Sequence, residues 1–136
     1  MSVGENARRI GRWGEALAAE YLRGQGYHLL ATDYRCRMGE IDLIARREDM
    51  LVFVEVKTRR HVRFGQGREA VDRRKQAHII SAARQWMLER PDETLQPRFD
   101  VVEILAPAGT DTTAPEITHL ENAFGVEEWS EDYTSY

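Results

Sequence analysis

The chain has 136 residues, of which 42% are hydrophobic and 31% charged, an ordinary composition for one soluble domain with a single core. Its single cysteine, Cys36, excludes an intrachain disulfide and a cysteine-rich zinc site. The formal net charge is −4, there is no signal-peptide-like apolar run at the N-terminus, and no stretch approaches the roughly 20 apolar residues of a membrane span. A cytoplasmic protein with no membrane partner is therefore expected.

Residues 5–24 read as an amphipathic helix. Ile10, Trp13, Leu17 and Tyr21 follow helical spacing, Ala18 and Leu22 widen the stripe, and Gly24 and Gly26 supply the stop. Glu15 lies at the margin of the stripe. It is either a boundary residue making surface pairs or a carboxylate that looks along an underlying sheet. Residues 27–34 predict a first strand, followed by Cys36, expected as a small packed residue.

Residues 39–57, GEIDLIARREDMLVFVEVK, predict two strands joined by a polar turn at 46–50. Alternation sets Glu40, Asp42 and Ile44 on one face and Ile41, Leu43 and Ala45 on the other. In the second strand Leu51, Phe53, Glu55 and Lys57 share a face opposite Val52, Val54 and Val56. Both faces of that strand are mostly apolar, so it is expected at the centre of a sheet covered on both sides. Charges at its end need partners or a task, because burying them unpaired costs several kcal/mol, roughly.

A loop is expected over residues 58–67 and a second long helix over 69–90, its stripe marked by Val71, Ile79, Ile80, Ala83, Trp86 and Met87, with Pro91 beyond it. Continued toward the N-terminus, the stripe lands on Asp72, Lys75 and Gln76. That polar end either faces a polar site or projects past the core. Residues 96–107 hold a strand in which Asp100 is expected to pair with an arginine. A connection at 108–115 leads to an edge strand at 116–120. Residues 1–124 form one predicted domain, and 125–136 an acidic tail expected to fray. Three strands with short connections should pair antiparallel, and the strand after the second helix can return parallel to a central one. The fold class is α/β, a mixed five-stranded sheet flanked by two long helices.

The acidic net charge hides a basic segment. Residues 106–136 carry seven acidic residues and no Lys or Arg, which leaves 19 basic against 16 acidic residues before them, a net of +3. Between 57 and 75, Lys57, Arg59, Arg60, Arg63, Arg68, Arg73, Arg74 and Lys75 face only Glu69 and Asp72. Beside a carboxylate cluster, such a segment suits the delivery of a polyanion, and Arg59 through Lys75 are the candidate nucleic-acid contacts. A solvated charged loop is the competing reading.

Asp42 and Glu55 on adjacent strands can supply the one or two carboxylates that Mg2+ usually takes, with the Val56 backbone carbonyl as a third ligand. Lys57, two residues from Glu55, points to the same side and can orient an attacking water or offset transition-state charge. His28, His61, His78 and His119 have no close ligand spacing, and neither G-x-S-x-G nor a P-loop is present.

GRWGEALAAEYL, GEIDLIA, FVEVKTR, the pair Lys75-Gln76 and RFDVV together resemble the YraN-like family of small bacterial proteins, over residues 11–102. That family is similar to PD-(D/E)xK nucleases, particularly archaeal Holliday-junction resolvases. The resemblance implies a restriction-endonuclease-like core. It sets Asp42 at the motif aspartate, Glu55 and Lys57 at the E-x-K positions, Glu15 at the first-helix glutamate and Gln76 at the polar position of the second helix. These five are the candidate catalytic residues, and Glu15 is a further candidate metal ligand. Ile41 departs from the motif, which has proline there.

The expected function is Mg2+- or Mn2+-dependent hydrolysis of DNA phosphodiester bonds, with branched or structured DNA as the candidate substrate. The resemblance also admits a homodimer. Two alternatives stand beside it: a nucleic-acid-binding module that keeps the fold without cutting, and a protein-interaction domain using the acidic tail.

Overall fold

The computed structural model describes residues 3–61, 71–91 and 95–125. The expected positions Arg63, Arg68 and Glu69, and the tail from 126 onward, lie outside the described residues. The order is α1 (Val3–Gly24), β1 (His28–Cys36), β2 (Gly39–Arg47), β3 (Met50–Arg59), α2 (Arg73–Leu88), β4 (Gln96–Leu105), one 3₁₀ turn (Gly109–Asp111) and β5 (Glu116–Phe124).

The strands lie in one sheet in sequence order. β1, β2 and β3 are mutually antiparallel, β3 and β4 are parallel, and β5 returns antiparallel to β4. The parallel pair is the one joined through a helix, since a parallel return needs a crossover that a tight turn cannot make.

β3 is central, and its side chains feed two cores. Leu51 and Phe53 pack toward α2 with Ile79, Ile80, Ala83 and Trp86, and Phe53, Phe99 and Phe124 stack in series. Val52 and Val54 pack toward α1 with Ala18 and Leu22. Each fully buried Leu, Ile, Val or Phe contributes about 1.5–3 kcal/mol relative to exposure, so this strand is firmly held. Gly14 brings α1 close, because a Cβ there would run into Thr58 Oγ1. Gly26, at φ 90°, turns the chain out of α1.

Several boundaries differ from the expected ones. α2 begins at Arg73 rather than 69, because the Asp72 carboxylate caps it by accepting the Lys75 backbone N–H at 2.8 Å. β3 continues through Thr58 and Arg59, which pair with Ile104 and Leu105 where a loop was expected. The β2–β3 turn shrinks to Glu48 and Asp49, with Glu48 at φ 56°. β1 reaches Cys36 and β5 reaches Phe124, both longer than their apolar runs, since strand pairing extends past the apolar segments.

The face assignment in β2 also needs correction. Ile44 lies in the α2-side core and Leu43 and Ala45 in the α1-side core, as alternation requires. Ile41 does not follow, joining Ile44 on the α2 side. The break falls at Asp42, opposite Asp33, whose φ is 50°. A left-handed residue in one strand disturbs the pleat of the pair and lets the alternation slip.

Among the described residues no helix is long and apolar enough to cross a membrane.

Candidate active site

The slip at Asp42 builds the site. The β2–β3 ladder runs from Arg47↔Met50 to Leu43↔Val54 and then ends. Beyond it the Val56 N–H donates to Asp42 Oδ2 at 2.8 Å instead of to a backbone carbonyl. An aspartate side chain has thus replaced a strand partner, and its carboxylate lies in the gap where β2 leaves β3. An extended residue turns its N–H and C=O to the same neighbouring strand. The Val56 carbonyl is therefore directed into that gap as well. β3 does not fray there, because its other edge stays paired to β4 through Arg59↔Leu105.

Glu55 is 5% exposed, on the α2 side of β3. Its Oε1 lies 3.7 Å from Lys57 Nζ and 3.5 Å from Lys75 Nζ. Lys57 comes from the same strand face, two residues on. Lys75 comes from the first turn of α2, which the Asp72 cap fixes. The Asp42 carboxyl lies within electrostatic reach of Glu55. Burial is the main reason that both titrate above the ordinary range. The Asp42 charge adds to it at Glu55, which is pushed up to about 7, while Lys75 and Lys57 pull the other way. At Asp42 the Val56 N–H and Lys75 offset part of the rise.

Glu15 approaches from α1. Its carboxyl is pushed up to about 7, first by burial, then by Asp42, Asp33 and Glu40, with Arg35 opposing. Arg35 is itself held by Asp33 at 3.0 Å and Glu40 at 3.6 Å. The helix thus brings a third carboxyl within electrostatic reach of the pair.

Among the described residues no three His, Cys, Asp or Glu side chains converge on one point. The donors present are two carboxylates within electrostatic reach of each other and a main-chain carbonyl aimed into the gap. That all-oxygen set, completed by water, matches what Mg2+ or Mn2+ accepts and fits neither zinc nor copper. A divalent cation would also offset the negative charge that desolvation penalises on the two acids.

The remaining expected site residues are distributed as follows. Gln76 is buried, and its amide Nε2 donates to the Val71 carbonyl at 2.7 Å, closing the entry to α2. Lys75, expected among the nucleic-acid contacts, is part-exposed and pairs with Glu55. The signal for it was present in the sequence, since it falls on the polar end of the core stripe beside Gln76. Arg59 lies 3.6 Å from Glu103, its register neighbour's partner across β4, while Arg60, Arg73 and Arg74 are exposed. Asp33 went unremarked in the sequence, where nothing marks a residue that will adopt a positive φ inside a strand.

Two comparisons with known proteins complete the picture. The model of the uncharacterised protein family UPF0102 matches residues 14–104. A UPF0102 protein of Syntrophotalea carbinolica is 45% identical over 120 residues, covering 88% of this chain and 94% of that one. One from Caldanaerobacter subterraneus subsp. tengcongensis is 42% identical over 120 residues, covering 88% and 97%. One from Parafrankia sp. is 46% identical over 98 residues, covering 72% and 83%.

Proposed function

This chain belongs to the UPF0102 family, and we propose that it is a metal-dependent endonuclease hydrolysing DNA phosphodiester bonds. One observation carries the reading: Asp42 takes the Val56 N–H in place of a strand partner, and so opens a gap in which a half-buried carboxyl group stands near the buried Glu55 and its two lysines. A structural ion pair would match one acid with one base. Here two acids that both titrate above the ordinary range stand by the end of the central strand, at a cost in stability that suits a site built for a cation.

Asp42, Glu55 and the Val56 carbonyl would hold Mg2+ or Mn2+, with Glu15 as a further ligand. When bound, the ion supplies Lewis-acid polarisation of the phosphoryl oxygen and a lowered pKa for its water. The chain's own groups do the rest. Lys57, anchored by Glu55, donates a hydrogen bond to the attacking water and holds it in line with the scissile bond. The ammonium groups of Lys57 and Lys75 face the negative charge that grows on the phosphoryl oxygens. Asp42 fixes the end of β3 through the Val56 N–H, so the donors keep their places as charge develops. The preferred substrate is branched or otherwise structured DNA.

The test is a cleavage panel of linear duplex, single-stranded and four-way-junction DNA with Mg2+ or Mn2+. Cleavage should require metal and fall at least about a hundredfold in Asp42→Ala. Absence of metal-dependent cleavage on every substrate overturns the reading. DNA binding that persists in that case, and in Glu55→Ala, identifies a non-cutting binding module instead.

A further inference from the structure

Two glycines in α1 are treated very differently by the fold. A helix-interior glycine is destabilising, so each calls for a reason. Gly14 has one, since its missing Cβ lets Thr58 approach. Gly11 has no such reason: a Cβ there would meet nothing within 4 Å. Gly11 instead lies at the junction of two clefts. One, of about 320 Å³, runs between α1 and the end of β3 and is lined by Ile10, Glu15, Val56 and Arg60 among others. The second, of about 290 Å³, runs toward β1 and is lined by Arg8, Arg12, Asp33 and Arg35. Gly11 and Glu15 line both. The clefts therefore form a trough that crosses α1, with Gly11 as its low saddle and Glu15 on its floor.

The rims are basic. Arg35 and Arg59 are matched by Asp33, Glu40 and Glu103. Arg8, Arg12 and Arg60 have no carboxylate partner among the described residues. Cations thus stand on both sides of the saddle. The first cleft opens onto Val56 and Glu15, two of the candidate metal ligands.

We infer that this trough is a track for a single strand of DNA, which crosses α1 over Gly11 with its phosphates against Arg8, Arg12 and Arg60 and so reaches the carboxylates. This rests on the nuclease reading for its destination, and on the trough alone for its path. A positively charged groove that follows the backbone is how single strands are held without regard to sequence. A duplex is stiff and meets only the rim of clefts this size. Entry over α1 explains why a helix-weakening residue stands where no neighbour needs the space: any side chain at Gly11 would project into the path.

The experiment measures fluorescence anisotropy of a labelled oligothymidylate, and of a hairpin duplex of equal length, with EDTA present so that no cutting occurs. Gly11→Leu should keep or raise the melting temperature, since the added side chain enters open space on a helix. It should weaken oligothymidylate binding at least about tenfold. Arg12→Glu, at an exposed position, should weaken it comparably. Arg8→Ala and Arg60→Ala should each reduce the slope of log affinity against log salt by about 0.7, as expected for one lost single-strand phosphate contact. Single-strand binding that both Gly11→Leu and Arg12→Glu leave within about twofold of the parent overturns the track without touching the nuclease reading. Tighter binding of the hairpin than of the single strand overturns it too. Glycine-sensitive binding in a protein that fails the cleavage panel supports the track and overturns the nuclease reading, so the two fail separately.

Discussion

Glu55 is buried beside the Asp42 carboxyl, and the proton that such surroundings favour on it sets how the fold answers to pH. Glu55 and Glu15 are both pushed up to about 7, by burial first and neighbouring carboxylates second. Between the ordinary value of 4.5 and about 7 the folded protein therefore holds more protons than the unfolded chain. Linkage then requires that stability fall as pH rises through that window. The expected loss in the metal-free protein from pH 5 to pH 8 is on the order of 3 kcal/mol, with Glu15 contributing less because solvent screens it. Thermal unfolding at the two pH values, with chelator present, measures it. Glu55→Gln should flatten the dependence and raise stability at pH 8. Saturating Mg2+ or Mn2+ should stabilise more at pH 8 than at pH 5, because ligation needs the deprotonated groups. A melting temperature that is flat from pH 5 to 8 and indifferent to metal would contradict the account of the pair.

At the scale of the element, the site depends on how closely α1 lies on β3. Glu15 follows Gly14 directly, and Gly14 is where the helix touches Thr58. Ala at 14 would gain about 0.5–1 kcal/mol of helix propensity and lose more to the clash. Gly14→Ala is expected to destabilise by about 1–3 kcal/mol in urea denaturation and to lift Glu15 away from Asp42. Thr58→Ala in the same chain should recover most of that loss, since the clashing hydroxyl is then gone. A Gly14→Ala protein of unchanged stability would mean that the helix can slide on the sheet. The N-terminus of α2 has an equivalent constraint, the Asp72 cap, which sets where Lys75 emerges onto Glu55.

Across the whole molecule, two buried acid groups show how a fold distinguishes a support from a site. Asp100 is fully buried, and it is saturated with donors. Arg98 gives two hydrogen bonds, at 2.9 and 2.8 Å, His119 Nε2 lies at 2.7 Å, and the Asn122 N–H at 3.0 Å. Burial alone would raise its pKa, but these bonds overcome it and hold the carboxyl below its ordinary range. The network extends to Tyr27 and Tyr21, and so ties α1, β4 and β5 together. Asn122, at φ 52° beside the β4–β5 register shift, turns its N–H to Asp100. Asp100→Ala should cost about 3–5 kcal/mol, because it leaves the Arg98 charge buried without its partner. Any catalytic activity should be retained per folded molecule at low temperature. A loss below about 1 kcal/mol in denaturant titration would remove the network from its structural role. Glu55, by contrast, is raised in spite of two lysines, because burial outweighs them and the Asp42 charge adds to it. A buried acid that titrates low is held by its donors, and one raised toward neutrality lacks donors enough to offset its burial.

Much of this protein follows from local periodicity. A period of two sets Glu55 and Lys57 on one face of β3 and marks that strand as doubly covered, which its buried neighbours on both sides bear out. A period of 3.6 locates both helices, and the short connections dictate the antiparallel meander and the parallel return. The pairing of Asp100 with arginine was legible too, from a lone acid in an apolar run next to Arg98. What periodicity could not reach was every feature that depends on one strand lying against another. The slip that moves Ile41 to the α2 side and drops Asp42 into the gap arises from the pairing of β1 with β2, where Asp33 takes a positive φ. The placement of Lys75 on Glu55, and of the Gln76 amide on the Val71 carbonyl, follows from where α2 starts over the sheet. The clefts that meet at Gly11 are lined from α1, β1 and the end of β3, elements that only the fold brings together. The sequence by itself determined which residues carry the charge and on which element each lies. The tertiary structure alone decided which carboxylates and lysines are neighbours, because proximity of residues distant in the chain is set by register, twist and packing depth rather than by spacing along it.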